Sequence, residues 1–177
     1  MFHRTERLFL RPAWPEDWEA VLGGIADEGV VMNLARAPWP YGPDEARAFV
    51  SQQHDPCYPT FLLICPRTGQ AVGCAGLASK GGEVELGYWI ARPFWGRGYA
   101  TEAGAGVLEI AKVIGHKRVA AAHFVDNPAS GRVLRKLGFV PTGAVMARHS
   151  CARGGEAQAV EYALELDERS DPLMRAA

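Results

Sequence analysis

Apolar positions along the chain switch repeatedly between a period of two and a period near 3.6, the strand and helix signatures. Arg7-Leu8-Phe9-Leu10-Arg11 alternates as a short strand, ended by Pro12. Trp14-Pro15-Glu16-Asp17 then opens a helix with Trp18, Val21, Leu22 and Ile25 on one side. A loop of aromatics and prolines over residues 37–43 precedes a second helix carrying Ala46, Phe49 and Val50. Residues 60–65, 71–78 and 84–91 read as three strands joined by the turns 66–69 and 79–82, an antiparallel meander. Ala100, Ala103, Val107, Ile110, Ala111 and Ile114 form one stripe of a helix over 99–114, and 117–125 is again a strand. Strand, helix and strand in that order predict a parallel pair with a right-handed crossover.

Asn127-Pro128 is a strong helix start, with Asn at the N-cap and Pro at the first helical position. That helix turns Val133, Leu134 and Leu137 inward and stops at Gly138, with Phe139 closing its end. Strands over 142–149 and 157–166 complete the sheet, and the polar tail from Asp167 is expected to fray. No repeat or linker interrupts the pattern, so residues 1–177 are expected to form a single domain. Its expected class is α+β, with a mostly antiparallel sheet of about seven strands, one parallel pair and about four helices.

Composition narrows the function. With 19 Lys+Arg against 20 Asp+Glu, the chain has no bulk basicity that would suggest nucleic acid. It lacks an uninterrupted apolar run of about 18 residues, so no membrane span is expected. MFHRTERLFLRP lacks the apolar core of a signal peptide, and a cytoplasmic protein is expected. Cys57, Cys65, Cys74 and Cys151 form no C-x-x-C pair, and the five histidines are equally scattered. Reduced thiols and no metal are expected. A homodimer rests only on the general frequency of symmetric dimers.

One helix start departs from the usual chemistry. Gly96-Arg97-Gly98-Tyr99-Ala100-Thr101 offers no Asp, Asn or Ser at the cap and no acidic residue before Glu102. A helix N-terminus carries about half a positive charge and several free N–H donors. Here two glycines clear the approach and Arg97 adds a cation. A phosphate or pyrophosphate site and a plain glycine-rich turn both fit these residues. Walker and Rossmann loops do not: no G-x-x-x-x-G-K-[ST] string occurs, Thr101 stands where the third Rossmann glycine belongs, and the preceding strands form a meander.

GYWIARPFWGRGYATEA, followed by Asn127-Pro128-Ala129-Ser130 and Lys136-Leu137-Gly138-Phe139, resembles the GNAT superfamily of acyl-CoA N-acyltransferases. Within it the chain looks most like the branch of the ribosomal-protein N-terminal acetyltransferases RimJ and RimL, over nearly its whole length. The resemblance implies the GNAT fold, with acetyl-CoA as cosubstrate, no metal, and an amine acceptor that is a peptide N-terminus or a small molecule. It places the pyrophosphate on the backbone of Arg97, Gly98, Tyr99, Ala100 and Thr101. The pantetheine arm then runs along Tyr88, Trp89 and Ile90 where the parallel strands splay, and Asn127 contacts the same arm. At the first motif position, where the family often has Gln or Arg, this chain has Trp95.

For the chemistry, Glu85 is the candidate base, directly or through water, with Glu83 on its face; solvated strand carboxylates are the competing reading. The family's tyrosine acid would fall at Leu134, which cannot donate a proton. Ser130 is then the candidate donor to the leaving sulfur, or else it only supports the first helical turn. Trp39 and Tyr41 are the candidate acceptor-pocket residues, or alternatively core aromatics. An enzyme transferring acetyl from the thioester to a primary amine is expected; the alternative is a non-catalytic acyl-CoA-binding module.

Overall fold

A computed structural model describes residues 1–53 and 55–166; the expected frayed tail from Asp167 lies outside the described residues. Eight strands form one sheet in the order β1-β2-β3-β4-β5-β6-β8-β7. They are β1 (His3–Arg4), β2 (Phe9–Arg11), β3 (Thr60–Ile64), β4 (Ala71–Lys80), β5 (Glu83–Ile90), β6 (Arg118–Phe124), β7 (Val140–Ser150) and β8 (Gly155–Glu165). The described helices are α1 (Trp18–Ile25), α2 (Glu28–Val31), α3 (Pro43–Val50), α4 (Tyr99–Ile114) and α5 (Pro128–Lys136). The α+β class, the meander and the parallel pair are as expected, but there are eight strands and five helices rather than about seven and four. The additional elements, β1 and α2, are two and four residues long, too short to show a period. Asp27 caps α2 by accepting from the Val30 N–H at 3.2 Å.

The central strands are covered on both faces, as the buried runs of β3 and β4 require, whereas β7 is mostly exposed. On one face Leu8, Phe61, Leu63 and Leu86 pack with Ala103 and Val107 of α4. On the other, Leu62, Cys74 and Trp89 pack with Val21 and Ile25 of α1 and Ala46 of α3. Each large apolar side chain removed from water contributes roughly 1.5–3 kcal/mol, so these two layers hold the helices against the sheet. α4 and α5 approach closely at Gly104, where an added Cβ would lie 2.6 Å from Leu137 Cδ1. This contact seats the C-terminal end of α5 against α4.

β4 pairs with β5 along its length, from Gly73 opposite Ile90 to Lys80 opposite Glu83. β6 pairs with β8 from Arg118 opposite Glu165 to Phe124 opposite Ala159. Between the two halves, β5 and β6 are joined at one position, Glu85 opposite Ala120. Beyond it the strands diverge, leaving the β6-facing edge of β5 from Leu86 to Ile90 without a ladder.

The N-terminal segment staples α4 to the sheet edge. Glu102 accepts from Thr5 Oγ1 at 2.6 Å, from the Arg7 N–H at 2.6 Å and from Arg7 Nε at 2.7 Å. Burial alone would raise the Glu102 carboxyl, but these donors outweigh it and hold it below its ordinary range. Replacing Glu102 with Gln should cost about 1–3 kcal/mol at neutral pH, toward the lower end because the Arg7 guanidinium is solvent-screened. A depressed carboxyl contributes stability above the unfolded pKa, and that stability is lost as pH falls through the folded value. The melting temperatures of wild type and E102Q should therefore converge on acidification. A gap that stays constant into acid would show that the ionised carboxylate is not its source.

Candidate active site

The start of α4 is held open by its backbone. Gly98 occupies the N-cap with φ +80°, in the left-handed region that favours glycine, and no side chain caps the helix. Glu102, the one acidic residue in the first turn, is turned away to Thr5 and Arg7. Its N–H closes the first helical bond to Gly98 O at 3.1 Å, so the N–H groups of Tyr99, Ala100 and Thr101 have no intrahelical acceptor. Arg7 Nη1 donates to Arg97 O at 2.9 Å, which fixes the turn, while the exposed Arg97 guanidinium lies 5.5 Å from the centre of the Phe94 ring. An exposed cradle of N–H donors beside a cation suits an anion of phosphate type.

That cradle adjoins the splay of β5 and β6. Tyr88, Trp89 and Ile90 lie on the unladdered stretch of β5. Trp95, the departure from the family motif, donates its indole N–H to Ile90 O at 2.6 Å and ties down the end of this strand. Neither the Trp95 latch nor its target could be read from spacing, because the turn 91–98 folds back on the strand it leaves.

Across the splay stands the start of α5. Asn127 Oδ1 accepts from the Ser130 N–H at 3.2 Å, as an N-cap does. Ser130 Oγ lies 2.8 Å from Tyr88 Oη, so β5 and α5 are bridged by hydroxyls. Leu134, at the place of the family tyrosine, is fully buried in the core.

Glu85 projects from the opposite face, since successive strand residues alternate. Arg148 of β7 donates from Nη1 to Glu85 Oε1 at 3.0 Å and from Nη2 to Glu85 Oε2 at 2.8 Å. The same guanidinium donates from Nε and Nη2 to Glu161 of β8, both at 2.8 Å. Burial would lower the Arg148 pKa, but the bonds to Glu85 and Glu161 more than offset it and raise it further. Lys80 Nζ is 3.8 Å from Glu85 Oε2 and largely exposed, a weak contribution. Two carboxylates around one guanidinium carry a net charge of about −1, which the exposed Lys80 ammonium offsets only in part because water screens it. Arg148 and Glu161 were not expected from the sequence. Their only signal was a polar position inside each of the last two strands, and register alone brings them opposite Glu85.

The two expected acceptor-pocket aromatics separate. Trp39 is 39% exposed, whereas Tyr41 is 8% exposed and packs in the core with Val21, Val31 and Trp89. Burial, reinforced by Glu45, pushes the Tyr41 phenol up to about 12. The loop leading to them is anchored to the β7–β8 turn: Ser150 Oγ donates to Leu34 O at 3.0 Å, the Cys151 N–H to Ala35 O at 2.9 Å, and Arg153 Nε to Met32 O at 2.9 Å. Among the described residues, no cluster of His, Cys, Asp and Glu could hold a metal, and no helix is long and apolar enough to cross a membrane.

An anion-ready helix start beside a splayed parallel pair is the arrangement expected of a GNAT acyltransferase, and comparison with known proteins agrees. The profile of the acetyltransferase (GNAT) domain matches residues 7–140, and the chain belongs to this family. It is 36% identical over 155 residues to YoaA, an uncharacterized N-acetyltransferase of Bacillus subtilis, covering 78% of this chain and 82% of that protein. A GNAT-family acetyltransferase from Bacillus anthracis superposes with a TM-score of 0.80 at 24% identity, covering 93% of this chain and 98% of the other. RimL, a ribosomal L7/L12 alpha-N-protein acetyltransferase solved in complex with coenzyme A, superposes with a TM-score of 0.77 at 20% identity, covering 95% and 99%.

The cap at Asn127 can be tested apart from catalysis. N127A should lose about 1 kcal/mol in denaturant unfolding, whereas N127D, which keeps an acceptor oxygen, should lose little. Equal midpoints for wild type and N127A would show that the cap contributes nothing to the fold.

Proposed function

We propose that this chain acetylates a primary amine directly from acetyl-CoA, and that the acceptor is a protein or peptide N-terminal α-amine or a small-molecule amine. The carrying observation is the Glu85–Arg148–Glu161 group, a net negative cluster on the sheet face opposite Tyr88 and Ser130, at the one position where β5 and β6 still pair. Such a cluster attracts an ammonium and offers it an acceptor. The likeness to RimL, an N-terminal protein acetyltransferase, supports the peptide class within this reading.

Acetyl-CoA supplies the activated acetyl thioester. The backbone of Arg97, Gly98, Tyr99, Ala100 and Thr101 would bind its pyrophosphate, and Tyr88, Trp89, Ile90 and Asn127 its pantetheine arm. With Ile90 O already engaged by Trp95, the arm's bonds to β5 fall mainly on the other backbone groups there. A carboxylate has about four acceptor positions, so the two bonds from Arg148 leave Glu85 room to accept from a water or from the amine. Arg148 holds that carboxylate in place through two hydrogen bonds; Glu85 takes the amine's proton, directly or through water. Ser130 faces the leaving sulfur as donor. Trp39, exposed at the loop, borders the acceptor, and the buried Tyr41 supports that loop from beneath.

Thiol release from acetyl-CoA across N-terminal peptides, polyamines, amino acids and aminoglycosides tests the reading, with acceptor-dependent release expected. Binding of CoA with no release for any amine would favour the non-catalytic module. E85Q should lower kcat by about two orders of magnitude with the Kd for CoA unchanged; an unchanged rate would reject Glu85 as the base. W39A should raise the acceptor KM and leave that of acetyl-CoA alone, and the reverse pattern would move Trp39 out of the acceptor pocket.

A further inference from the structure

Tyr88 reaches across the splay from β5, and its Oη sits 2.8 Å from Ser130 Oγ and 3.4 Å from Ser130 O. The one phenol hydrogen can serve only one of these contacts, and the 2.8 Å contact to Oγ is much the closer, the carbonyl lying at the outer limit of a hydrogen bond. A phenol is also a stronger acid, and thus a better donor, than an alcohol. The Ser130 N–H is already committed to Asn127. With Tyr88 donating to Oγ, the hydroxyl hydrogen of Ser130 is left free to point elsewhere.

We propose that Tyr88 is a positioning residue for the leaving thiol: its hydroxyl donates to Ser130 Oγ and so aims the Ser130 hydrogen at the sulfur of coenzyme A. This rests on the reading of Ser130 as the group that faces the sulfur. It assigns to the Tyr88 side chain a function separate from the strand backbone at the same residue. A tyrosine hydroxyl thereby stands beside the α5 start although the family's tyrosine position holds Leu134.

The pair donates a hydrogen bond and gives up no proton. When the amine nitrogen bonds to the acetyl carbon, the carbon–sulfur bond breaks and its electron pair stays on sulfur. The amine loses one proton as it becomes an amide and the sulfur gains one as it becomes a thiol, so the reaction balances without a net proton from Ser130 or Tyr88. Burial supports this division of labour, because it pushes the Tyr88 phenol up to about 12, outweighing the opposing effect of the hydrogen bond shared with Ser130. A thiol ordinarily titrates near about 8.5, so the thiolate does not strip a proton from such a phenol. Tyr88 stays protonated and remains a donor throughout. His123 and Tyr162, 3.4 Å apart, and Arg135, which donates to Tyr162 Oη at 3.0 Å, are further polar groups on this side of the sheet.

The test reads the thiol of CoA bound to the protein, by thiolate absorbance against pH, in wild type, Y88F, S130A and the double variant. A hydrogen bond to sulfur stabilises the thiolate and lowers the bound thiol's pKa. Y88F and S130A should each raise it by about one unit, and the double variant should go no further than either alone. Turnover by Y88F should fall roughly tenfold with the acetyl-CoA KM unchanged. Y88F removes one oxygen from a partly buried ring, and its melting temperature, measured alongside, separates a local effect from unfolding. A raised pKa in S130A with none in Y88F would overturn the inference and leave Ser130 in place. Full additivity in the double variant would also overturn it, since Tyr88 would then act without Ser130. If neither substitution moves the thiol pKa, the reading of Ser130 fails and the inference with it.

Discussion

A single paired position, Glu85 opposite Ala120, joins the two halves of the sheet. Parallel strands satisfy each other's backbone only while they stay about 4.8 Å apart, and here they part after one contact. The β5 edge therefore keeps free hydrogen-bonding groups in the interior of a covered sheet, a costly arrangement unless something pairs with them. The two packed faces make it tolerable, because β5 is anchored to β4 along its length and β6 to β8 along its own. Each half is laddered within itself, and the gap is where they fail to meet.

The groups around that gap are sorted by the alternation of the strand. Tyr88 points toward α5 and meets Ser130, while Glu85 points to the other face and meets Arg148 and Glu161. Under the proposed function this separates two electrostatic tasks: donors gather where a sulfur would leave, and net negative charge gathers where an amine would arrive. Arg148 spans β5, β7 and β8 in effect, because its one guanidinium serves a carboxylate from each half of the sheet. It is a cross-link over the splay as well as a partner for Glu85.

The anion-ready helix start depends on the opposite end of the chain. Glu102 would be a natural partner for the N–H groups of α4, yet Thr5 and Arg7 take it, and Arg7 also holds Arg97 O. The free donors thus arise from competition: a distant segment satisfies the carboxylate so that the helix does not.

Strand and helix periods, the Asn127-Pro128 start and the unusual Gly96-Arg97-Gly98 start were all legible in the residues, because each is a local preference of backbone and solvent. They determined the α+β class, the meander, the crossover and the donor-rich turn. The short β1 and α2 escaped, being too brief for a period to show. Tyr41 was legible as an aromatic in the loop but not as a core residue, since burial depends on what packs over it. Trp95 on Ile90, Tyr88 on Ser130 and Arg148 between Glu85 and Glu161 were decided only by tertiary structure. Apart from the latch of Trp95 on Ile90, these contacts join residues 42 and 63 apart, or 13 apart on different strands. What brings them together is register across the sheet and the angle at which two strands diverge, and the spacing of residues along the chain does not show which side chains will then meet.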